Sequence, residues 1–163
     1  MLYLKEISCT DGRAVYDLCQ TIDADENGFR NTARDLPYEQ FPGWLKEKVD
    51  MGLGLGLEDW MVPARTYWLY DGDTPVGQLN LRVRLTDALR EGGGTIGYAI
   101  GKPYRGKGYG NAILRLGLEK CKELGVEEIL VTVHPDNLPS RRVAEHNGGV
   151  LKRENDAHVF YWF

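Results

Sequence analysis

The chain has 163 residues, of which 42% are hydrophobic and 27% charged, and its formal net charge at pH 7 is −4. This composition predicts a single globular domain over residues 1–163, with enough chain to bury a sizeable core. The small negative charge argues against broad attraction to nucleic acid or to an anionic membrane surface, and no apolar run is long enough to cross a membrane.

The cysteines and histidines form neither a disulfide framework nor a metal-binding pattern. Cys9, Cys19 and Cys121 are odd in number and widely spaced, which indicates a reducing, cytoplasmic environment. The three histidines add no metal-ligand spacing, so we expect no bound metal. The N-terminal segment MLYLKEIS contains Lys and Glu where a signal peptide would be apolar.

The first third of the chain predicts a strand, a helix and a loop. Residues 2–8 read as a strand, and residues 10–22 read as a helix capped by Thr10 or Asp11. The polar and acidic residues 23–35 predict a loop. The apolar side of the helix is expected to contain Ala14, Val15, Leu18 and Ile22.

The middle of the chain predicts a weak helix and two strands. Residues 38–49 have a helical pattern that Pro42-Gly43 interrupts, and the Gly–Leu alternation of residues 51–60 indicates no single structure. Residues 65–70 and 76–85 read as strands joined by the turn DGDT. In the second strand, Leu79, Leu81, Val83 and Leu85 are expected on one face, and Gln78, Asn80, Arg82 and Arg84 on the other.

The second half of the chain predicts alternating strands and helices. Residues 86–94 read as a loop, 95–100 as a strand, and 110–124 as a helix that Gly125 ends. The later elements are a strand at 127–133, a helix at 138–147, and strands at 149–154 and 157–163. The final strand, AHVFYWF, suits either the centre of a sheet or a dimer seam. This order indicates an α+β domain with helices on the faces of a mixed sheet.

A glycine-rich turn, Arg-Gly-Lys-Gly-Tyr-Gly at residues 105–110, lies between a predicted strand and a predicted helix. Helix N-termini expose unpaired N–H groups, glycines allow close backbone approach, and Arg105 and Lys107 add positive charge. The turn therefore predicts a phosphate-binding site, although a glycine-rich surface turn would share the pattern. Its GxGxG spacing matches neither a P-loop nor a dinucleotide-binding fingerprint.

This turn resembles the (Q/R)xxGx(G/A) turn of the GNAT superfamily of N-acetyltransferases. The strand TIGYAI before it, the strand EEILVTV after the helix, and then Asn137 and Ser140 follow the family's order. The segments TYWLYDGDTPVGQLNLRVRL, GGGTIGYAI and DNLPSRRVAEHNGGVL are similar to a branch of uncharacterised bacterial acetyltransferases, and the resemblance extends from about residue 62 to 154. It implies a mixed, mostly antiparallel sheet of six to seven strands, helices on both faces, and a splay between the family's fourth and fifth strands.

The resemblance also implies that acetyl-coenzyme A is the cosubstrate and that the turn cradles its pyrophosphate. Main-chain groups of the strand TIGYAI would hold the pantetheine arm, with the N–H of Ile100 as oxyanion donor. Asn137 would hydrogen-bond the pantetheine, and Ser140 would either do the same or cap the next helix. The expected cofactor-binding residues are Tyr98, Ala99, Ile100, Arg105, Gly106, Lys107, Gly108, Tyr109, Gly110, Asn111, Asn137 and Ser140.

The two proton-transfer residues that many members of this family share are absent. Thr95 stands where they have a glutamate, and Ala144 stands where they have a tyrosine. Imidazole and carboxylate side chains elsewhere in the chain can transfer protons in their place. The expected catalytic residues are Ile100, His134 and Asp136, with Tyr98, Glu91 or a water relay as alternatives.

The first two predicted helices and their loop are expected to form one wall of the acceptor site. Their acidic residues would favour a cationic amine, or would form an ordinary solvated surface. These residues are Asp17, Asp23, Asp25, Glu26, Asp35 and Glu39. Tyr38, Phe41 and Trp44 would line the pocket or belong to the core.

Together these features predict an acetyl-coenzyme A-dependent N-acetyltransferase that acts on a primary amine of a small molecule by direct transfer in a ternary complex. The chain would work as a monomer or homodimer, with no nucleic acid, membrane or metal. The alternative is a catalytically silent module that senses acyl-coenzyme A. A flavodoxin-like phosphate binder fits less well, because the long alternating strand at 76–85 does not suit a doubly wound sheet.

Overall fold

A computed structural model of the protein describes residues 1–163. The strands are β1 (Leu2–Glu6), β2 (Asp25–Glu26), β3 (Phe29–Arg30), β4 (Ala64–Asp71), β5 (Thr74–Arg82), β6 (Ile96–Ile100), β7 (Leu130–Val133), β8 (Val150–Glu154) and β9 (Val159–Trp162). The α-helices are α1 (Arg13–Cys19), α2 (Phe41–Gly52), α3 (Asp87–Glu91), α4 (Tyr109–Glu123) and α5 (Leu138–His146). Short 3-10 turns lie at Tyr38–Gln40 and Lys102–Tyr104.

Seven strands form two half-sheets, in the orders β1-β4-β5-β6 and β7-β9-β8, and every paired strand is antiparallel to its neighbour. The halves are linked at Thr95, whose N–H donates to the Leu130 carbonyl at 2.7 Å. The Thr95 hydroxyl donates to the Glu128 carbonyl at 2.7 Å and accepts from the Leu130 N–H at 3.0 Å. Beyond this point no hydrogen bond joins β6 to β7, which confirms the predicted fold class with its splayed sheet.

Helices cover both faces of the first half-sheet, because its strands alternate their side chains between two cores. In β4, Tyr67 and Leu69 belong to the core that also contains Ile113 and Leu114 of α4. Trp68, between them, belongs to the core beneath α1 and α2. The predicted alternation of β5 is confirmed for the buried Leu79 and Leu81, but the strand ends at Arg82 rather than at residue 85.

The first helix is shorter than predicted and is not capped by Thr10 or Asp11. Its N-cap is Gly12, without a side-chain cap. The Asp11 carboxylate instead accepts from the Trp68 indole N–H at 2.8 Å. Val15, Leu18 and Ile22 are buried as predicted, whereas Ala14 is exposed. Because the buried indole N–H of Trp68 needs an acceptor, the Asp11 carboxylate bonds to it and does not cap the helix.

Two segments predicted as loops contain regular structure. Residues 23–35 include the hairpin β2–β3, whose turn residues Asn27 and Gly28 have φ of 52° and 94°. Asn-Gly is the strongest two-residue hairpin signal because both residues accept positive φ, and the signal was overlooked. Residues 86–94 include α3, capped by the Thr86 hydroxyl, which accepts from the Leu89 N–H at 3.2 Å.

The predicted interruption of the second helix is wrong, and packing resolves the alternatives left open for the final segment. Pro42 does not interrupt α2, because it lies in the first helical turn, where its missing N–H has no partner to lose. The segment AHVFYWF supplies β9, which lies between β7 and β8 and buries Val159, Phe160 and Tyr161. It is therefore the central strand of the second half-sheet. None of the helices has the length and apolarity needed to span a membrane.

Candidate active site

A groove of about 790 Å³ runs between the end of β6, the glycine-rich turn and α5. The structure brings eleven of the twelve predicted cofactor-binding residues together along it; only Lys107 does not line it. The eleven are Tyr98, Ala99, Ile100, Arg105, Gly106, Gly108, Tyr109, Gly110, Asn111, Asn137 and Ser140.

The glycine-rich turn presents six consecutive backbone N–H groups, those of residues 106–111, that no group of the chain accepts. Gly106 and Gly108 have φ of 76° and 84°, and a Cβ at either position would point into open space. The side-chain oxygen of Asn111 is buried and has no hydrogen-bond partner. Free donors at a helix N-terminus beside open space fit a bound pyrophosphate, and the amide of Asn111 can pair with a ligand donor.

Two predicted phosphate-turn side chains are occupied within the protein. The Arg105 guanidinium donates to Glu26 at 2.8 Å and to the Ile100 carbonyl at 3.1 Å. The Tyr109 hydroxyl donates to the Asp71 carboxylate of β4. Both residues therefore offer the groove their main chain rather than their polar side-chain groups.

One face of α5 completes the groove with residues that the sequence interpretation missed. Pro139, Arg142, Val143 and His146 line it at the three- and four-residue spacing of a helix face. That spacing, counted from Pro139 within the helix predicted at 138–147, was the available signal. The Asn137 side chain caps α5 by accepting from the Ser140 N–H at 3.4 Å, so Ser140 is not the cap, and it lines the groove.

The main chain of β6 faces the splay at alternate residues. Hydrogen bonds at the ends of the β5–β6 ladder, from Gly101 to Val76 and from Arg82 to Thr95, fix which pairs bond across the ladder. By the antiparallel alternation, residue 99 bonds to β5, whereas residues 98 and 100 direct their N–H and C=O groups toward β7. The main chain of Tyr98 and of Ile100 is therefore oriented to bind a pantetheine arm in the splay, as predicted. The main chain of Ala99 is not, because it bonds to β5.

A second cavity, of about 420 Å³, meets the groove at the splay. Five residues line both: Glu26, Asn27, Tyr98, Asn137 and Ser140. Burial raises the pKa of the Tyr98 phenol, and a hydrogen bond with the Ser140 hydroxyl offsets part of that rise. Tyr98 therefore keeps its proton at neutral pH, at the junction of the two spaces.

The catalytic candidates occupy different positions. His134 lies at the exit of β7 and lines the second cavity, with its ring edge-on to His158 at 5.7 Å between centroids. A Cβ added at Gly28 would lie 3.4 Å from the His134 Nε2, so the hairpin turn packs against this imidazole. Asp136 lines neither space. Glu91 lines neither space and pairs with Arg153 at 2.9 Å.

The two positions that hold proton-transfer residues in many relatives are structural here. Thr95 and Ala144 are both fully buried. Thr95 links the half-sheets through its hydrogen bonds to Glu128 and Leu130, and Ala144 packs in the core beneath α4. Neither side chain lines the groove or the second cavity.

The expected acidic wall is not formed. Of its six acidic residues only Glu26 lines either space, and its carboxylate is paired with Arg105. Asp23 pairs with Lys102 at 2.6 Å. Asp17, Asp23 and Asp35 pair instead with cations that line neither space. Of the two alternatives for the aromatic residues, Phe41 and Trp44 follow the second and belong to the core, and Tyr38 lines neither space.

A family model of the acetyltransferase (GNAT) domain matches residues 2–150. The chain belongs to the GNAT acetyltransferase family. A mycothiol acetyltransferase of Corynebacterium glutamicum (strain R) is 28% identical over 133 residues, which are 80% of this chain. The chain spans about two fifths of that curated relative, 41% of its length.

Solved structures share the fold of this GNAT domain. A ribosomal L7/L12 alpha-N-protein acetyltransferase in complex with coenzyme A superposes with a TM-score of 0.71 at 16% identity, over 99% of this chain and 92% of the other. A ribosomal-protein-S5-alanine acetyltransferase from Vibrio fischeri gives the same values. Members of the family take their acetyl group from acetyl-coenzyme A.

Proposed function

We propose that this GNAT domain transfers the acetyl group of acetyl-coenzyme A to a primary amine of a small molecule, by direct transfer in a ternary complex. The observation that carries the proposal is the meeting of two spaces at the splay between β6 and β7. A thioester lying in the groove can reach an amine held in the second cavity. At about 420 Å³ that cavity has the size of small-ligand sites.

The donor is held by the residues of the groove. The free N–H groups of residues 106–111 bind the pyrophosphate, and the outward-facing main chain of Tyr98 and Ile100 binds the pantetheine arm. The side-chain N–H groups of Asn137, which have no partner in the chain, also donate toward the pantetheine. Arg142, on the groove face of α5, supplies positive charge beside the phosphates.

In the reaction, the amine nitrogen attacks the thioester carbonyl carbon and the carbon–sulfur bond breaks. The nitrogen loses one proton and the departing sulfur takes up one. The N–H of Ile100, directed into the splay, stabilises the oxyanion. The Tyr98 phenol, held protonated at the junction, gives its proton to the thiolate.

The amine proton passes to His134 or to water. His134 is the candidate that lines the acceptor cavity, while Asp136 lies outside it. His134→Ala should lower turnover by roughly 10²–10⁴-fold with cofactor affinity unchanged, as expected for loss of a general base. A pH–rate profile of this variant that overlays the parent would assign the proton to water.

The test of the function is release of free thiol from acetyl-coenzyme A across a panel of small amines and N-terminal peptides, with cofactor binding followed by calorimetry. Release with small amines is expected. Release with peptides alone would make the acceptor a protein N-terminus, as in the ribosomal neighbours. Binding without release would favour the sensor, which the buried Thr95 and Ala144 at the usual proton-transfer positions also suit. Absence of binding would refute both.

A further inference from the structure

Three cationic side chains line the acceptor cavity without a carboxylate partner. They are Arg30 of β3, Lys48 of α2 and Arg82 of β5. None of them forms an ion pair within 4.0 Å, although thirteen such pairs occur in the chain. Glu26, the one acidic residue that lines the cavity, is already paired with Arg105. The cavity therefore carries an excess of positive charge.

Two of these charges are partly removed from water. Burial lowers the pKa of the Lys48 ammonium; Glu47 offsets part of this and the Arg82 charge adds to it. Burial also lowers the pKa of Arg82. The Lys48 nitrogen also lies 5.7 Å from the centroid of the Trp44 indole ring, a cation–π contact. A partly desolvated cation without a counter-ion is unfavourable, and an anion in the cavity would compensate both charges.

Arg82 is held in place by hydrogen bonds, while part of its guanidinium remains available to bind a ligand. Its Nη1 donates to the carbonyls of Gly93 and Gly94, at 3.1 and 3.2 Å. The other guanidinium nitrogens make no hydrogen bond within the chain. Lys46, on the same helix as Lys48, provides a contrast, since it is exposed and pairs with Asp50 at 2.7 Å. The cations of α2 are thus partnered outside the cavity and unpartnered inside it.

We infer that the acceptor is a primary amine that also carries an anionic group, a carboxylate or a phosphate, and that Lys48 and Arg82 bind this group. The inference rests on the proposed function and defines its substrate class. The anionic end of the acceptor lies against α2 and β5, which leaves the amine free to face His134 within the cavity and Tyr98 at the junction with the groove. Amines that carry further positive charge, which the acidic residues had suggested, are disfavoured by the same charges.

The test compares matched acceptors by kcat/KM in the thiol-release assay. Serine is compared with serinamide, phosphoethanolamine with ethanolamine, and putrescine serves as a dication. A charge-assisted contact predicts a preference of about ten- to a hundredfold for the anionic member of at least one pair. Which pair shows the preference distinguishes a carboxylate from a phosphate.

Lys48→Met should remove about tenfold or more of that preference through KM, while the neutral acceptors are unaffected. Lys46→Met is the matched control and should change neither class. Because an unpartnered, partly buried ammonium is lost, Lys48→Met should be at least as stable as the parent, so misfolding does not confound the result.

The outcomes separate the two proposals. A preference for serinamide, ethanolamine or putrescine, unchanged by Lys48→Met, overturns the inference but leaves the acetyltransferase intact. If no amine is acetylated, the transferase proposal fails. In that case anion binding is measured as the rise in Tm that serine or phosphoethanolamine produces. Stabilisation that Lys48→Met abolishes supports the anion site, and absence of stabilisation refutes it.

Discussion

Replacing Thr95 by valine removes one hydroxyl from the link between β6 and β7. The side chain is fully buried, donates to the Glu128 carbonyl at 2.7 Å, and accepts from the Leu130 N–H at 3.0 Å. Valine has nearly the same shape, so little cavity forms and the loss is polar. Leaving the buried Leu130 N–H without a partner costs about 1–3 kcal/mol, and losing the bond to the part-buried Glu128 carbonyl costs about 0.5–1.5 kcal/mol. Together they predict a loss of roughly 2–4 kcal/mol in the free energy of unfolding.

Urea denaturation measures this loss as a lower midpoint at unchanged slope. In a domain of this size, each kcal/mol corresponds to about 2–4 °C in Tm, so thermal unfolding should shift by roughly 4 °C or more. Thr132→Val is the matched control, because its hydroxyl accepts only the Gly93 N–H at an exposed position that water can replace. The control should lose less than about 0.5 kcal/mol. A Thr95→Val change below about 1 kcal/mol would refute the proposed structural role.

Three further predictions concern the groove, pH and the thiols. Gly108→Glu places a carboxylate in the open space of the turn, so calorimetry should detect no acetyl-coenzyme A binding, whereas Gly125→Glu, with a similar positive φ at the other end of α4, should bind normally. Burial, and then the adjacent His134, lower the pKa of His158 below its ordinary 6.5. Below about pH 6.5 the unfolded chain therefore binds more protons than the folded protein, so the folded protein becomes less stable as the pH falls. The variant His158→Gln should lose less stability on acidification, as measured by acid denaturation. An unchanged pH dependence would contradict this. In the native protein only the exposed Cys9 should react rapidly with a disulfide reagent near pH 8, because burial raises the pKa of Cys19 to about 12 and that of Cys121 to about 11. All three thiols should react after unfolding. Three rapidly reacting thiols in the native protein would contradict the burial of Cys19 and Cys121.

The sequence by itself determined the features that depend on local periodicity and local backbone chemistry. Strict alternation predicted β5, and the helical spacing of apolar residues predicted α4, since side chains on one face of an element must share one environment. The glycines at 106 and 108 predicted the turn, because few other residues adopt its positive φ. Together with the family resemblance, these signals predicted the fold class and eleven of the residues that line the groove, but not the β2–β3 hairpin or the groove face of α5.

The tertiary structure alone decided which polar groups face one another. Thr95 meets Leu130, and Glu26 meets Arg105, across long stretches of chain, and no sequence period links such pairs. The sequence pattern suggested that the acidic residues of the first loop line the acceptor site. Their ion pairs, such as those of Asp23 with Lys102 and Glu26 with Arg105, are visible only in the folded structure. Lys48 and Arg82 come from elements far apart in the chain, and only packing places both at one cavity. Burial and pairing of charge arise from contacts between elements, so the character of the acceptor site was fixed at that level and not by the sequence pattern.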